Sequence, residues 1–435
     1  METALIALAL AAVAFLGAPI FAVLGAIALI AFSADGTDSS AIIVEMFRIA
    51  SAPTLLAIPL FTFAGYMLAE SRTPKRLVAL SEALLGWIPG GTAVITLASC
   101  AIFTAFTGAS GVTIIALGGL LYPILREQRY SERFSLGLLT TSGSLGLLFP
   151  PSLPLILYGM IASTARSAGG GVPDVSIDKL FVAGIVPGIL LVVLLSVYSV
   201  KKNVATATIP FSWRNALRQL RASAWEIPLP ALVLGGIYGG FFTATEAAAI
   251  TVAYVFIVEV FVYRDLSLKK DVPRIMTESV VLVGAILVIL GCAMGLTNYL
   301  IDEEVPMRLF AFVQSFVTSK AVFLILLNLF LIVVGMMMDI FSAIIVVVPL
   351  IIPISTAYGV DPIHLGIIFL TNLEIGYLTP PVGLNLFIAS YRFNKTIPEI
   401  LKAVGPFFVI LFIGLALITY VPELSTFLVD WLRVR

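Results

Sequence analysis

Histidine occurs once and cysteine twice in the 435 residues. A centre built from several imidazoles is therefore excluded, as is a Ser-His triad drawn from several histidines. The two thiols, Cys100 and Cys292, lie inside apolar runs and make no disulfide framework; they read as small packing residues. Charge is scarce as well, at 11% of the chain, with 25 basic side chains balancing 25 acidic ones. Without a basic run or a basic-aromatic stacking pattern, nucleic acid is not a partner. No P-loop string is present, so nucleotide hydrolysis is not the energy source. What the chain does have is hydrocarbon: 60% of residues are hydrophobic and the mean hydropathy is +1.10. That balance lies outside the range of soluble domains and indicates a polytopic membrane protein in a lipid bilayer.

A bilayer crossing needs about 20 apolar residues as a helix. Stretches 3–32, 52–70, 134–165, 180–200, 226–241, 244–263, 276–300, 362–391 and 398–420 meet that need. The first is too long for a signal-peptide core and has no basic residue before it, so it is expected to stay as a helix. Stretch 226–241 is short enough to be half of a broken helix. Stretches 90–125 and 320–358 are too long for one crossing and are interrupted by Thr107 to Gly111 and by Gly335 to Ser342. Both read as helical hairpins that enter and leave on one side. Basic residues collect at 72–76, 126–133, 201–221, 264–274 and 392–402, whereas the 33–47 and 302–304 loops are acidic. The positive-inside rule makes the basic side cytoplasmic, which opens the first hairpin to the cytoplasm and the second to the outside. Trp87, Trp213 and Trp225 fall at span ends and read as interfacial anchors.

The chain repeats itself. Leu148-Phe149-Pro150-Pro151-Ser152 returns as Leu378-Thr379-Pro380-Pro381-Val382, and the same offset of 230 carries Gly65 to Gly295, Pro123 to Pro353, Thr141 to Thr371 and Gly146 to Gly376. The expected organisation is a first inverted repeat at 1–200, with an arm helix at 73–86, a hairpin at 90–125 and a broken helix at 134–165. A cytoplasmic amphipathic linker follows at 201–225. The second repeat, 226–435, has its arm at 305–318, hairpin at 320–358, broken helix at 362–391 and a C-terminal helix at 398–420. Each repeat carries a double proline inside a spanning segment. Proline removes an amide donor and clashes with the preceding turn, and broken backbone at membrane depth is tolerated only where it lines a polar site. Repeated broken helices point to a secondary transporter.

The chemistry is read from those breaks. Thr140 to Ser152 frees carbonyl oxygens and adds the hydroxyls of Ser142 and Ser144, a hard oxygen environment suited to an alkali cation and not to a soft metal. Thr371 to Asn385 adds Glu374, Asn372 and Asn385 to the same broken backbone. An ionisable residue inside a span is a functional candidate; Glu374 is a cation ligand, a structural carboxylate met by backbone or Asn372, or a proton relay. At the first hairpin tip, Thr107, Gly108, Ala109, Ser110 and Gly111 precede a helix whose positive N-terminal end would favour an anion. Asp339 at the second tip is either a helix cap or a cation ligand. His364 reads as an interfacial side chain, and Glu246 as a cap or a buried group at the repeat interface. Arg214, Arg218 and Arg221 share one stripe of the linker helix, which is either a solvated face or a surface for anionic lipid.

Three strings, Gly143-Ser144-Leu145-Gly146 with Pro150-Pro151-Ser152, Gly235 to Gly239 with Thr245 to Ala249, and Asn372 to Phe387, occur in an order that resembles the large membrane subunit of tripartite ATP-independent periplasmic (TRAP) transporters. The resemblance covers nearly the whole chain. It implies an all-α, inverted-repeat, elevator-type fold and sodium-driven import of an organic acid, such as a dicarboxylate or sialic acid, across a bacterial or archaeal inner membrane. It implies two partners: a soluble periplasmic binding protein, and a small four-helix membrane subunit expected here as a separate polypeptide. The cofactor expected is Na+. Cation ligands are expected at Gly108, Ser144, Gly146, Pro150, Asp339, Glu374, Gly376 and Thr379, and substrate contacts at Thr107, Ser110, Ser142, Asn372 and Asn385, between the two tips. Two other functions fit the residues: a self-sufficient sodium/dicarboxylate carrier, and an intramembrane enzyme built on Asp339, Glu374 and His364.

Overall fold

A computed structural model describes residues 18–34, 53–88, 90–169, 175–202, 210–303 and 305–432, with 40, 43, 44, 47 and 51. Residues 3–17 of the expected first span and 203–209 of the expected linker lie outside the described residues. The described residues form helices and no strand. That suits a bilayer, where a helix satisfies its backbone polar groups within itself.

In chain order the helices are α1 (Ile20–Ala34), α2 (Ala57–Glu70), α3 (Thr73–Leu85), α4 (Gly91–Thr107), α5 (Ser110–Glu127), α6 (Glu132–Ser142), α7 (Leu153–Gly169), α8 (Ile177–Lys202), α9 (Trp213–Ala222) and α10 (Pro228–Tyr238). They continue with α11 (Ala244–Ile257), α12 (Asp271–Asp302), α13 (Val305–Phe316), α14 (Lys320–Met337), α15 (Ile340–Ala357), α16 (Pro362–Gly376), α17 (Leu384–Phe393), α18 (Ile397–Tyr420) and α19 (Glu423–Leu432). Among the described residues six helices are long and apolar enough to cross a membrane, or seven if the pair α6 and α7, bent by 42°, is one span.

Local chemistry sets the boundaries. Thr243 with Glu246 and Thr396 with Glu399 form reciprocal capping boxes at the starts of α11 and α18, so Glu246 is a cap. Pro362 occupies the first turn of α16, where its missing N–H costs nothing, and Asp361 accepts from the amides of Ile363 and His364. The 226–241 stretch is not one crossing. Its helix, α10, has 11 residues and is about 16 Å long, half the hydrocarbon thickness. Gly240, at φ +71°, turns the chain before Thr243 starts α11. The ten-residue α19 was not expected from the sequence.

Packing follows the repeat. Helices α1 and α12 pack together, as do α11 and α2, and the 230-residue offset exchanges these pairs. The second hairpin limbs cross over: α5 packs on α17 of the other repeat, and α15 packs on α7. The offset carries Ser110–Glu127 onto Ile340–Ala357, 18 residues each. One buried ionic cluster ties α3 to the segments flanking α10 and α11. Arg76 donates to Glu226, to Asp265 at 2.6 Å and to Glu259 at 3.2 Å, and its guanidinium lies 3.9 Å from the Tyr263 ring centroid.

Candidate substrate and cation site

The first break begins where α6 ends. Ser131 caps α6 by accepting from the Phe134 amide at 3.3 Å, and the helix runs to Ser142. The chain then makes one tight turn over Leu145–Leu148 and extends at Phe149, and the Pro150-Pro151 bond is cis. Hairpin one closes over this break. Thr104 of α4 donates to the Gly143 carbonyl at 2.9 Å and lies 2.6 Å from the Thr113 hydroxyl of α5. A Cβ at Gly146 would stand 2.5 Å from the Ala105 amide nitrogen, so only glycine permits this approach. Ser142 and Ser144 donate back to the carbonyls of Leu139 at 3.3 Å and Thr141 at 3.5 Å. Pro150 is buried, and Leu153, just past the double proline, packs against Gly108 at the tip.

The second break mirrors the first in backbone and differs in side chains. α16 stops at Gly376; Pro380-Pro381 is cis, Gly383 has φ +52°, and α17 begins. Gly376 lies against Gly335 of α14: a Cβ there would stand 2.6 Å from the Gly335 Cα. The Tyr377 hydroxyl accepts from the Ile340 amide at the start of α15. Asp339 is exposed and is spent as a cap: Oδ1 accepts from Phe341 at 3.0 Å and Ser342 at 3.1 Å, and the Ser342 hydroxyl donates to Oδ2. Thr379 donates to the Ile375 carbonyl at 2.8 Å.

A side-chain hydrogen bond joins the first tip to the second break. Ser110, at the first tip, donates to Asn385 Oδ1 of the second break at 2.7 Å, and both are buried. Asn372 spends its amide on Asn328 Oδ1 and the Ile368 carbonyl, both at 2.8 Å. The structure therefore brings Ser110 and Asn385 together and places Ser142, Ser144 and Gly146 under the first hairpin. It sets Asp339 apart as a cap. Thr104, Thr113, Asn328, Gly335 and Tyr377 also build the site and were not among the expected residues. Asn328 carried a readable signal, since it is a lone amide in an apolar span.

Buried polar atoms are normally hydrogen-bonded. Thr107 Oγ1, Thr141 Oγ1, Asn372 Oδ1, both Glu374 carboxylate oxygens and Asn385 Nδ2 are buried without a partner. Neither backbone nor Asn372 meets Glu374, so the structural reading of that carboxylate lacks its partner. Five of these six atoms are hard oxygen donors, the ligand type suited to an alkali cation. No cluster of three or more His, Cys, Asp or Glu side chains able to hold a metal occurs among the described residues. His364 is 3% exposed, so its ring faces protein, and its ring nitrogens lie 3.1 Å from the Ser425 hydroxyl and 3.3 Å from the Thr419 carbonyl. Ten helical residues put it about 15 Å along α16 from Glu374, too far for one catalytic group.

Residues 5–424 match the family described as the tripartite ATP-independent periplasmic transporter, DctM component. The chain is 36% identical over 413 residues to the C4-dicarboxylate TRAP transporter large permease protein DctM of Pseudomonas aeruginosa, covering 94% of this chain and 93% of that protein. It is 30% identical over 381 residues to the sialic acid TRAP transporter large permease protein SiaM of Vibrio cholerae, covering 86% of each. Against the isethionate TRAP transporter permease protein DctMQ of Oleidesulfovibrio alaskensis it is 33% identical over 416 residues, 94% of this chain and 64% of the longer protein. Among solved structures, the Alcanivorax borkumensis YdaH transporter superposes with a TM-score of 0.61 at 14% identity over 90% of this chain and 87% of that one. At that identity the likeness concerns the fold.

Proposed function

The chain belongs to the DctM component family of TRAP transporters, and from that premise we propose that it is the large translocating subunit of a sodium-coupled organic-acid importer. Its place is the bacterial inner membrane, beside a small membrane subunit and a periplasmic binding protein that delivers the acid. The observation that carries this reading is the Ser110–Asn385 bond across the two repeats, set among buried oxygens that lack partners. A carboxylate substrate fits between the tips, where the start of α5 presents amides and the hydroxyls and amides of Thr107, Ser110 and Asn385 converge. Sodium supplies the positive charge that offsets the acid. The broken backbone and Glu374 are the candidate ligands, with Ser144, Gly376 and Thr379 setting the fold of each break.

Moving one charge through 100 mV is worth about 2.3 kcal/mol. An anion moving inward opposes that potential, so more than one Na+ per acid is needed for uphill uptake. The crossed hairpins and breaks form one block, α2 and α12 pack beside it, and α11 packs on α2; an elevator step is movement of this block against those helices. Reconstitution into proteoliposomes with the small subunit tests the reading. Uptake of a radiolabelled dicarboxylate or sialic acid should require both an inward sodium gradient and the loaded binding protein. Uptake that ignores sodium defeats the coupling, and uptake that needs no binding protein identifies a self-sufficient carrier instead.

A further inference from the structure

The transport site leaves the linker helix α9 unexplained. At 100° per residue, Trp213, Leu217 and Leu220 lie on one arc and Arg214, Arg218 and Arg221 on the neighbouring arc. Asn215, Ala216 and Gln219 take the side turned toward the protein, where α9 packs on α3. Both other arcs face outward: Trp213 is 78% and Leu217 62% exposed. None of the three arginines pairs with a carboxylate among the described residues; Arg218 donates to Asn215 Oδ1 at 2.9 Å. Ser212, Arg214, Asn215, Arg218 and Arg221 border an open groove of about 660 Å³.

We infer that α9 is an interfacial helix that binds anionic phospholipid of the leaflet on its side of the membrane. Its indole and leucines enter the acyl boundary, while the three guanidiniums hold headgroup phosphates in the groove. Three observations fix the occupant. The surrounding surface is apolar: Phe211 and Trp225 on either side of α9 are also exposed. The arginine arc adjoins the apolar arc, as an interfacial helix requires. The guanidiniums have no acidic partner, and guanidinium recognises phosphate through paired hydrogen bonds. Helix α9 packs on arm helix α3, so the lipid-holding helix braces the element that leads into the first hairpin.

The test uses the full chain with Trp213 as its only tryptophan (Trp87, Trp225 and Trp431 replaced by Phe, all three exposed). The protein is reconstituted in phosphatidylcholine or in an equimolar mixture with phosphatidylglycerol, with either lipid brominated on its chains. Brominated phosphatidylglycerol should quench Trp213 more than brominated phosphatidylcholine does, and high salt should narrow the gap. Each arginine near an anionic surface is worth about fivefold in association, so R214Q/R218Q/R221Q should erase the preference, and the triple Arg→Lys protein should keep most of it. Three results overturn the proposal: no quenching by either lipid, equal quenching by both in the parent protein, or a preference that survives the glutamine substitutions.

Discussion

Gly376→Ala is the sharpest perturbation of the transport site, because its consequence can be worked from distances. The added Cβ would lie 2.5 Å from the Gly335 carbonyl carbon, 2.6 Å from its Cα and 2.9 Å from the Met336 amide nitrogen. Carbon atoms in contact sit about 3.5–4.0 Å apart. The second hairpin must therefore retreat from the second break by about 1 Å, and no flexible side chain can absorb the shift, since all three neighbouring atoms are backbone. Overpacking of this kind costs about 1–3 kcal/mol. If sodium binds the closed arrangement of tip and break, that cost appears as a rise of about fivefold to a hundredfold in the sodium concentration for half-maximal uptake. The assay is sodium-dependent uptake in proteoliposomes, normalised to inserted protein. Gly405→Ala in α18 is the control: its Cβ meets nothing within 4 Å, and alanine is the better helix former by about 1 kcal/mol. Ordinary sodium dependence in Gly376→Ala would refute the argument that the closed contact and cation binding are coupled.

Three further outcomes are expected. Ser144→Ala and Thr379→Ala each raise the sodium requirement without loss of membrane insertion; if both retain the parent sodium curve, neither takes part in binding the ion. Glu374→Gln replaces a buried carboxyl group whose oxygens have no partner while keeping the side-chain volume, and it raises the sodium requirement more than it lowers the amount of folded protein; a loss of fold with an unchanged sodium curve assigns Glu374 a structural role. Arg76→Met leaves Glu226 and Glu259 buried at 4% and 0% side-chain exposure without their cation, and Asp265 with only Arg72 at 3.7 Å, which costs about 3–5 kcal/mol. Thermal unfolding in detergent should show that loss and a partial recovery when Glu259→Gln is added, and an unchanged midpoint in the single variant rules the cluster out as a stabilising feature.

Much of this architecture is legible because lipid simplifies the physics. A bilayer demands long apolar helices, so their interruptions at Thr107 to Gly111, Pro150-Pro151 and Pro380-Pro381 stand out against an otherwise uniform pattern. The α10 stretch was harder to read. Its hydropathy is continuous with a full crossing, and only the conjunction of Gly239, Gly240 and the Thr243 cap stops the helix. The burial of His364 was hard to read for a related reason: the Asp361-Pro362 start resembles a surface helix end, while the α18 and α19 segments that bury it are remote in sequence. Asp339 shows the limit of residue type as evidence, since an aspartate that opens a helix and one that binds a cation occupy the same kind of position. The Ser110–Asn385 bond spans 275 residues, and no local pattern could reveal it; it depends on the crossover that sets α5 against α17.

The repeat preserves contact and varies chemistry. Gly146 against Ala105 corresponds by the 230-residue offset to Gly376 against Gly335, so each hairpin approaches its break at backbone distance. The polar brace is not duplicated. Ser110 corresponds to Ile340 and Asn385 to Leu155, and those two are buried apolar side chains at 3% and 0% exposure. Thr104 and Thr113 correspond to Val334 and Ala343, while Ser142 and Ser144 correspond to Asn372 and Glu374. Hydroxyls thus gather on the first hairpin, and amides and the carboxylate gather on the second break, which faces it through Ser110 and Asn385. A symmetric pocket would offer an acid two equivalent poses. Here the hydrogen-bonded pair Ser110 and Asn385 lies on the diagonal from first tip to second break, and its counterpart pair on the other diagonal, Ile340 and Leu155, is apolar. If the proposed substrate is an acid with a carboxylate at one end and a less polar body, this asymmetry would orient it with its charged end toward Ser110 and Asn385.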